Sequence, residues 1–147
     1  MLLRLAEGAA VQVIVSSQVL SETEGALRRK APDILGHLAL LLDCAHCQVV
    51  PDPDWEQVSV WRTAIQYLPD AAILAAALAV EAEYLVTLDR QHLIDNPKLK
   101  TAPPLPIGTP GDCLEWLRGS LNAKARIQDE WYRLSERREP YGAEEKQ

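Results

Sequence analysis

Three carboxylates in the sequence lie where a fold could bring them together around a metal ion. Asp70 directly precedes the apolar stretch AAILAAALAV, Asp89 directly follows the apolar segment YLVTL, and Glu22 lies at the edge of an amphipathic helical pattern. Converging carboxylates repel one another unless a cation lies between them, and oxygen ligands of this kind suit Mg²⁺. A cation held in this way activates water for attack on a phosphodiester. Thr87 precedes Asp89 by two residues, so its hydroxyl is expected on the same side of an extended chain.

Each of the three acids also has an explanation that involves no chemistry. Asp70 is a good N-cap for the helix that follows it, and Glu22 is a common residue of solvated helix surfaces. Asp89 is a good turn former, although an aspartate beside a buried strand is costly unless it is paired. Position alone therefore leaves the structural and the catalytic interpretation open for all three residues.

The elements that would position these side chains alternate between strand and helix patterns. Short apolar segments predict strands near residues 11–15, 48–50, 84–88 and 105–108. Apolar periodicity and start signals predict helices over residues 18–30, from Pro32, after Asp54, over 71–80 and from Pro110. This alternation predicts an α/β fold, a three-layer α/β/α sandwich with a mostly parallel sheet. Ligands of such sheets bind at the carboxyl ends of the strands, where these acids would gather.

The composition of the chain predicts a globular, cytoplasmic protein without a membrane segment. Its 147 residues are 48% hydrophobic and 24% charged, which suffices for one core. The longest strictly apolar run, residues 71–80, is too short to span a bilayer, and the N-terminus lacks the apolar core of a secretory signal. The 3 cysteines predict a reducing compartment. Cys44 and Cys47 lack the second close pair that structural zinc sites use, so buried thiols are the better interpretation.

Negative charge is concentrated in the larger part of the chain. The net charge of −6 argues against tight binding to any nucleic-acid backbone regardless of sequence. Residues 119–147 hold six basic and six acidic side chains, whereas residues 1–118 hold nine basic and fifteen acidic ones. This division predicts a folded domain over residues 1–118 and a charged helical extension over residues 119–147 that frays near Pro140.

Three segments resemble the PIN-domain ribonucleases: VSSQVLSETEGALRRK, LPDAAILAAALAVEAEYLVTLDRQHL and GTPGDCLEWLR. The resemblance extends over residues 11–118. It includes, in the family's order, a helix acid, an Asp before an alanine-rich apolar helix, and a strand followed by Thr-x-Asp. It implies a PIN-like fold in which Glu22, Asp70 and Asp89 bind the metal and Thr87 supplies an active-site hydroxyl.

The resemblance also implies a function. Members of the family cleave single-stranded RNA with Mg²⁺ or Mn²⁺, and many are the toxin components of bacterial toxin–antitoxin systems. We therefore expect an RNA substrate, a homo-oligomer, and an antitoxin or a second copy of the chain as protein partner. The candidate substrate contacts around the acids are Ser17, Arg62, Arg90 and His92.

The chain departs from the family pattern near its start. PIN domains begin with a strand that ends in an Asp ligand of the metal, whereas this sequence has no Asp before Asp33. We therefore expect a domain that lacks the first strand and first catalytic Asp of the family, with a gap in its sheet and weak nuclease activity. His92 occupies a position at which many relatives have a further acid.

Two other functions fit parts of the pattern. An inactive PIN-like domain that serves as a binding or regulatory module is favoured by the missing Asp. A receiver-like signalling domain also gathers acids at strand ends, but its phosphoacceptor Asp on a central strand and its strand-end Lys are not evident. The sequence contains no P-loop, no GxGxxG and no convincing Ser-His-Asp order.

Overall fold

A computed structural model describes residues 1–136 and has a mixed α/β architecture in which helices dominate. The helices are α1 (Leu2–Glu7), α2 (Ser17–Lys30), α3 (Leu35–Cys44), α4 (Trp55–Ser59), α5 (Leu68–Ala79), α6 (Pro97–Lys100) and α7 (Pro110–Glu136). The strands are β1 (Ile14–Ser16), β2 (Gln48–Val50), β3 (Leu85–Val86) and β4 (Ile107–Gly108). A 3-10 turn precedes α3 and a π-helical turn, Arg90–Ile94, follows β3. The predicted alternation of strands and helices is therefore present.

The strands form two parallel pairs. β1 pairs with β2, with Val15 opposite Val49, and β3 pairs with β4, with Leu85 opposite Ile107. Parallel pairing matches the prediction, but within residues 1–136 the pairs make two two-stranded sheets and not one continuous sheet. The three-layer sandwich is not seen in this arrangement, because within residues 1–136 β1 and β3 each have one hydrogen-bonded neighbour and no described strand joins the two pairs.

The hydrophobic core lies around α5. Leu74 on this helix is fully buried, and Ile65 and Leu93 are each 1% exposed beside it. The small alanine side chains of α5 let α4 and the chain around β3 approach closely, so the helix is covered on more than one face. This packing fixes the start of α5 at the edge of the core, where the candidate acids lie.

The chain divides into two compact units at Pro110. The first unit contains all four strands, and the second unit is formed by α7 within the described part of the chain. The predicted boundary at residues 118 and 119 falls inside α7, because the charged stretch continues the same helix without a break. The remainder of the predicted extension, including Pro140, lies outside the described residues.

Several apolar side chains remain exposed. Helix α3 has no buried residue despite its apolar sequence, and Leu40 on it is 60% exposed. In the C-terminal half of α7, the side chains of Ile127 and Trp131 are 69% and 65% exposed. Among the helices described, none is both long enough and apolar enough to cross a membrane.

Leu74→Ala tests the position of the core. We expect the substitution to lower the free energy of unfolding by about 2–5 kcal/mol, because it leaves a cavity in a fully packed region. Leu40→Ala is the matched control, since the same atoms are removed from an exposed position and the change should stay within about 0.5 kcal/mol. Urea denaturation measures both; similar losses in the two variants would show that α5 is not the centre of the core.

Candidate metal centre

Asp70, Asp89 and His92 converge at the start of α5. Each offers one possible ligand atom, and these atoms lie within 4.8 Å of one another. Nδ1 of His92 is 3.0 Å from Oδ2 of Asp89 and 3.1 Å from Oδ2 of Asp70. Across residues 1–136 this is the one group of three or more such side chains close enough to share a metal ion. Of the three acids predicted to bind one metal ion, the structure brings together Asp70 and Asp89, and Glu22 is not in the group.

Asp70 lies in the first turn of α5. The helix begins at Leu68 with Pro69 in its first turn, so the alternative that Asp70 is the N-cap is wrong. Tyr67 holds the N-cap position and makes no side-chain cap. The proline starts the helix before Asp70 because its fixed φ suits the first helical turn. The Asp70 side chain is therefore not used for capping.

The Asp70 carboxylate is buried without adequate hydrogen bonding. The residue is 7% exposed, and its Oδ2 has no hydrogen-bond partner among the described residues. Nδ1 of His92 lies 3.1 Å from this oxygen, which is within ion-pair distance, but it does not form a hydrogen bond to it of acceptable geometry. Burial raises the pKa of the Asp70 carboxyl above its ordinary value, and the negative charge of Asp89 raises it further. This electrostatic environment favours the binding of a cation or a proton.

Asp89 is held in place from two sides. Its backbone N–H donates to Oγ1 of Thr87 at 3.0 Å, and its Oδ1 accepts the backbone N–H of His92 at 2.9 Å. The bond from the His92 backbone lowers the pKa of the Asp89 carboxyl below its ordinary value. Thus one carboxylate oxygen caps the π-helical turn while the other faces the imidazole. The structural and the catalytic interpretation of Asp89 both apply, because the two oxygens have separate partners.

His92 is positioned by contacts that the sequence did not reveal. Its ring stacks on that of Tyr67, with centroids 5.5 Å apart. The buried Asn96 donates through Nδ2 to the carbonyls of His92 and Ala64, at 2.9 and 2.8 Å. These bonds fix the π-helical turn against the preceding loop. The Asn96-Pro97 dipeptide, a good helix start, was the sequence signal that could have identified Asn96.

Glu22 lies near this cluster but outside it. Its exposed carboxylate accepts from Nε2 of Gln18 at 3.1 Å, and the same nitrogen lies 3.4 Å from the carbonyl oxygen of Pro69. Gln18 thus links α2 to the start of α5. The charge of Glu22 contributes to the raised pKa of Asp70, although less than burial and Asp89 do.

Three of the four predicted substrate contacts are occupied by other interactions. Ser17 donates its hydroxyl to the carbonyl of Val50 at 3.0 Å and so ties α2 to β2. The Arg62 guanidinium lies over the ring of Trp55, and Arg90 pairs with Asp95 at 3.1 Å. Only His92 joins the cluster. The sequence could not reveal this difference, because the partners of both arginines are set by the local turns.

A groove of about 480 Å³ lies beside His92. Its lining is mixed polar and aromatic and includes Gln66, Tyr67, Gln91 and Lys98. Tyr67 is 54% exposed, so one of its faces is available although its ring contacts the imidazole. The groove therefore offers a surface for a planar polar group next to His92.

Comparisons of the chain with family models, with curated proteins and with solved structures give no match. The chemistry of the site is therefore inferred from its own geometry. The three cysteines do not add to it: Cys44 is exposed, and burial raises the thiol pKa of Cys47 and of Cys113. A raised thiol pKa disfavours the thiolate that a metal site needs.

Asp70→Asn is expected to raise the melting temperature at neutral pH. Because the pKa of Asp70 is raised in the folded protein, its stability contribution is complete below the ordinary carboxyl pKa of about 3.9. That contribution is lost as the pH rises through the raised value, so the variant gains most at neutral pH and least in acid. Asp95→Asn is the control, because Lys100 and Arg90 lower the pKa of this exposed carboxyl and its loss brings no gain. Calorimetry from acidic to neutral pH measures the melting temperatures of both variants. An equal gain for Asp70→Asn at all pH values would contradict a raised pKa for Asp70.

Proposed function

We propose that the chain is a divalent-metal-dependent endoribonuclease that acts on single-stranded RNA. The observation that carries this proposal is the buried Oδ2 of Asp70, which has no hydrogen-bond partner among the described residues and lies beside Asp89 and His92. An unpaired buried carboxylate is costly, and a cation bound between the two carboxylates removes that cost. Mg²⁺ and Mn²⁺ both suit carboxylate oxygens.

Each acidic residue has a role in this proposal. Asp70 and Asp89 bind the cation, and Thr87 holds the backbone of Asp89 through its hydroxyl. Glu22 lies on the exposed side, where it orients the attacking water and accepts its proton. When bound, the cation lowers the pKa of water and stabilises negative charge on the phosphate.

The groove beside His92 supports a single-stranded nucleic acid as substrate. Tyr67 presents an exposed aromatic face, and Lys98 lines the same groove. Unpaired bases stack on aromatic rings and phosphates contact lysines in proteins that bind single strands. Such local contacts are needed here because the net charge of −6 provides no general attraction for RNA.

The strand arrangement supports a PIN-like sandwich as part of the proposal. Both strand pairs are parallel, and Gln18 connects the helix after β1 to the start of α5. The role as a cytoplasmic toxin with an antitoxin partner belongs to the same proposal and is supported by the resemblance of the sequence.

A second candidate is an inactive PIN-like module that binds RNA or a protein. It is favoured by one observation: the cluster contains two carboxylates and an imidazole, whereas the third acid, Glu22, lies outside it and is exposed. Fewer anionic ligands bind a hard cation more weakly. The two candidates differ in whether the bound cation supports cleavage.

Incubation with fluorescently labelled single-stranded RNA and Mn²⁺ tests the proposed activity. We expect slow cleavage that is lost with a chelator, because the cation is needed to activate water. Asp89→Asn should lower the rate by about a hundredfold, since it removes an anionic ligand. Asp95→Asn, an exposed change outside the cluster, should cleave like the original protein. Absence of cleavage with intact Mn²⁺ binding would contradict the nuclease and support the inactive module.

We also propose that α7 associates with α7 of a second copy. Leu121, Ile127, Trp131 and Leu134 are each more than half exposed on this helix. Large exposed apolar surfaces of this kind mark interfaces. Residues 119–147 hold equal numbers of basic and acidic side chains, so two copies do not repel each other through this segment.

Ile127→Glu is expected to shift the protein from dimer toward monomer in light scattering at micromolar concentration. A charge in the apolar surface is desolvated when the copies meet, which disfavours the pair. Asn122→Glu adds the same charge on the polar side of α7 and should leave the mass unchanged. A monomeric mass for the original chain would exclude self-association, and an equal effect of both variants would exclude this surface.

A further inference from the structure

We propose that His92 is itself a ligand of the cation, through Nδ1, and that this nitrogen shifts the preference of the site from Mg²⁺ toward Mn²⁺ and the later first-row metals. The inference rests on the metal site of the proposed function but does not require that RNA is cleaved. It concerns a residue whose expected role was contact with substrate. Three features support it: the spacing of the ligand atoms, the rigidity of the imidazole and the chemistry of the donor set.

The spacing around Nδ1 of His92 fits adjacent ligands of one cation. Nδ1 lies 3.0 Å from Oδ2 of Asp89 and 3.1 Å from Oδ2 of Asp70. Adjacent ligands in an octahedron with bonds of about 2.1 Å are separated by about 3.0 Å. Nδ1 and each of the two carboxylate oxygens are therefore separated as adjacent ligands of one ion would be, and the three atoms all lie within 4.8 Å of one another.

While both carboxylates are ionised, hydrogen bonding among the described residues does not satisfy the same three atoms. Nδ1 carries at most one hydrogen, and its hydrogen-bond partner is Oδ2 of Asp89. Oδ2 of Asp70 is left buried without a hydrogen bond from any residue of the described range 1–136. A cation bonded to the nitrogen and to both oxygens satisfies every member of the group at once. This difference is the independent observation that separates a metal site from an ordinary Asp–His pair.

His92 is held in place before any ion binds, with its imidazole beside both carboxylates. The backbone N–H of His92 donates to Oδ1 of Asp89, its backbone carbonyl accepts from Asn96, and its ring stacks on that of Tyr67. A ligand held by such surrounding contacts loses little conformational entropy when the ion binds. His92 therefore contributes to affinity without a rearrangement of the π-helical turn.

The donor set determines which cations gain from His92. Mg²⁺ binds oxygen and keeps most of its water, so it gains little from an imidazole. First-row transition ions accept imidazole nitrogen readily, with affinity rising from Mn²⁺ toward Cu²⁺. A neutral nitrogen in place of a third carboxylate also lowers the negative charge of the site, which weakens Mg²⁺ most. The donor set of Asp70, Asp89 and His92 thus favours Mn²⁺ over Mg²⁺.

Mn²⁺ titration followed by electron paramagnetic resonance, with Mg²⁺ as competitor, measures this preference in the full chain. Mn²⁺ is also the suitable probe because thiols such as Cys44 and Cys47 bind it poorly. Pulsed measurements then detect whether a nitrogen nucleus is bonded to the bound Mn²⁺. We expect a nitrogen signal in the original protein and tighter binding of Mn²⁺ than of Mg²⁺.

Three variants separate ligation by His92 from a structural role. His92→Gln should weaken Mn²⁺ binding by about 10–100-fold and abolish the nitrogen signal, since it removes a ligand. His92→Asp should also lose the nitrogen signal, but it should bind Mg²⁺ more tightly than the original protein does, because a carboxylate replaces the imidazole. His37→Gln is the matched control on the exposed face of α3 and should change neither property. Circular dichroism checks that each variant is folded.

The inference is overturned if Mn²⁺ bound to the original protein shows no nitrogen signal, if Mg²⁺ binds as tightly as Mn²⁺, or if neither ion binds. The first of these results is obtained with the original protein, so it can overturn the proposal even if a variant does not fold. Cleavage of RNA is measured separately. Metal binding through His92 without cleavage would refute the nuclease alone, whereas cleavage with no nitrogen signal would refute the ligand assignment alone.

Discussion

The burial of α5 is the constraint on which the rest of the structure depends. Leu74 and the alanines of this helix form the centre of the core, so the whole helix is fixed, including its first turn. That turn carries Asp70, whose carboxylate is consequently withdrawn from water. Core packing thus stabilises the fold and at the same time buries a carboxylate whose charge the fold alone does not neutralise. A desolvated carboxylate of this kind is typical of functional sites.

The surroundings of Asp70 explain why the two aspartates behave differently. Asp89 receives a backbone hydrogen bond from the π-helical turn, and its pKa falls, whereas burial raises the pKa of Asp70. One carboxyl therefore favours the charged form and its neighbour favours the neutral form in the absence of a cation. His92 lies between them, within reach of both oxygens. Three local structures form the site: the first turn of α5, residues 87–89 after β3, and the π-helical turn. Each of them has its own hydrogen bonds.

The remainder of the chain is less completely packed than the core around α5. Helix α3 buries none of its apolar residues, and β1 and β3 each pair with one neighbour among residues 1–136. Exposed apolar side chains also lie along the C-terminal half of α7. Unsatisfied strand edges and uncovered apolar helices are surfaces on which proteins associate. These surfaces are formed by residues other than Asp70, Asp89 and His92, so separate substitutions can alter association and metal binding.

The sequence by itself determined the order of the elements, the parallel pairing and the two aspartates, because these follow from apolar periodicity and from polar residues that border apolar segments. It also predicted that Thr87 and Asp89 act together, and in the structure the Thr87 hydroxyl accepts the backbone N–H of Asp89. Only the tertiary structure decided that α5 begins before Asp70, that Arg62 and Arg90 have partners elsewhere, and that His92 turns toward both carboxylates. These depend on a π-helical turn fixed by Asn96 and on contacts between residues distant in the chain. Local patterns do not specify such contacts, because the partner of each side chain depends on the path that the backbone takes in the folded protein.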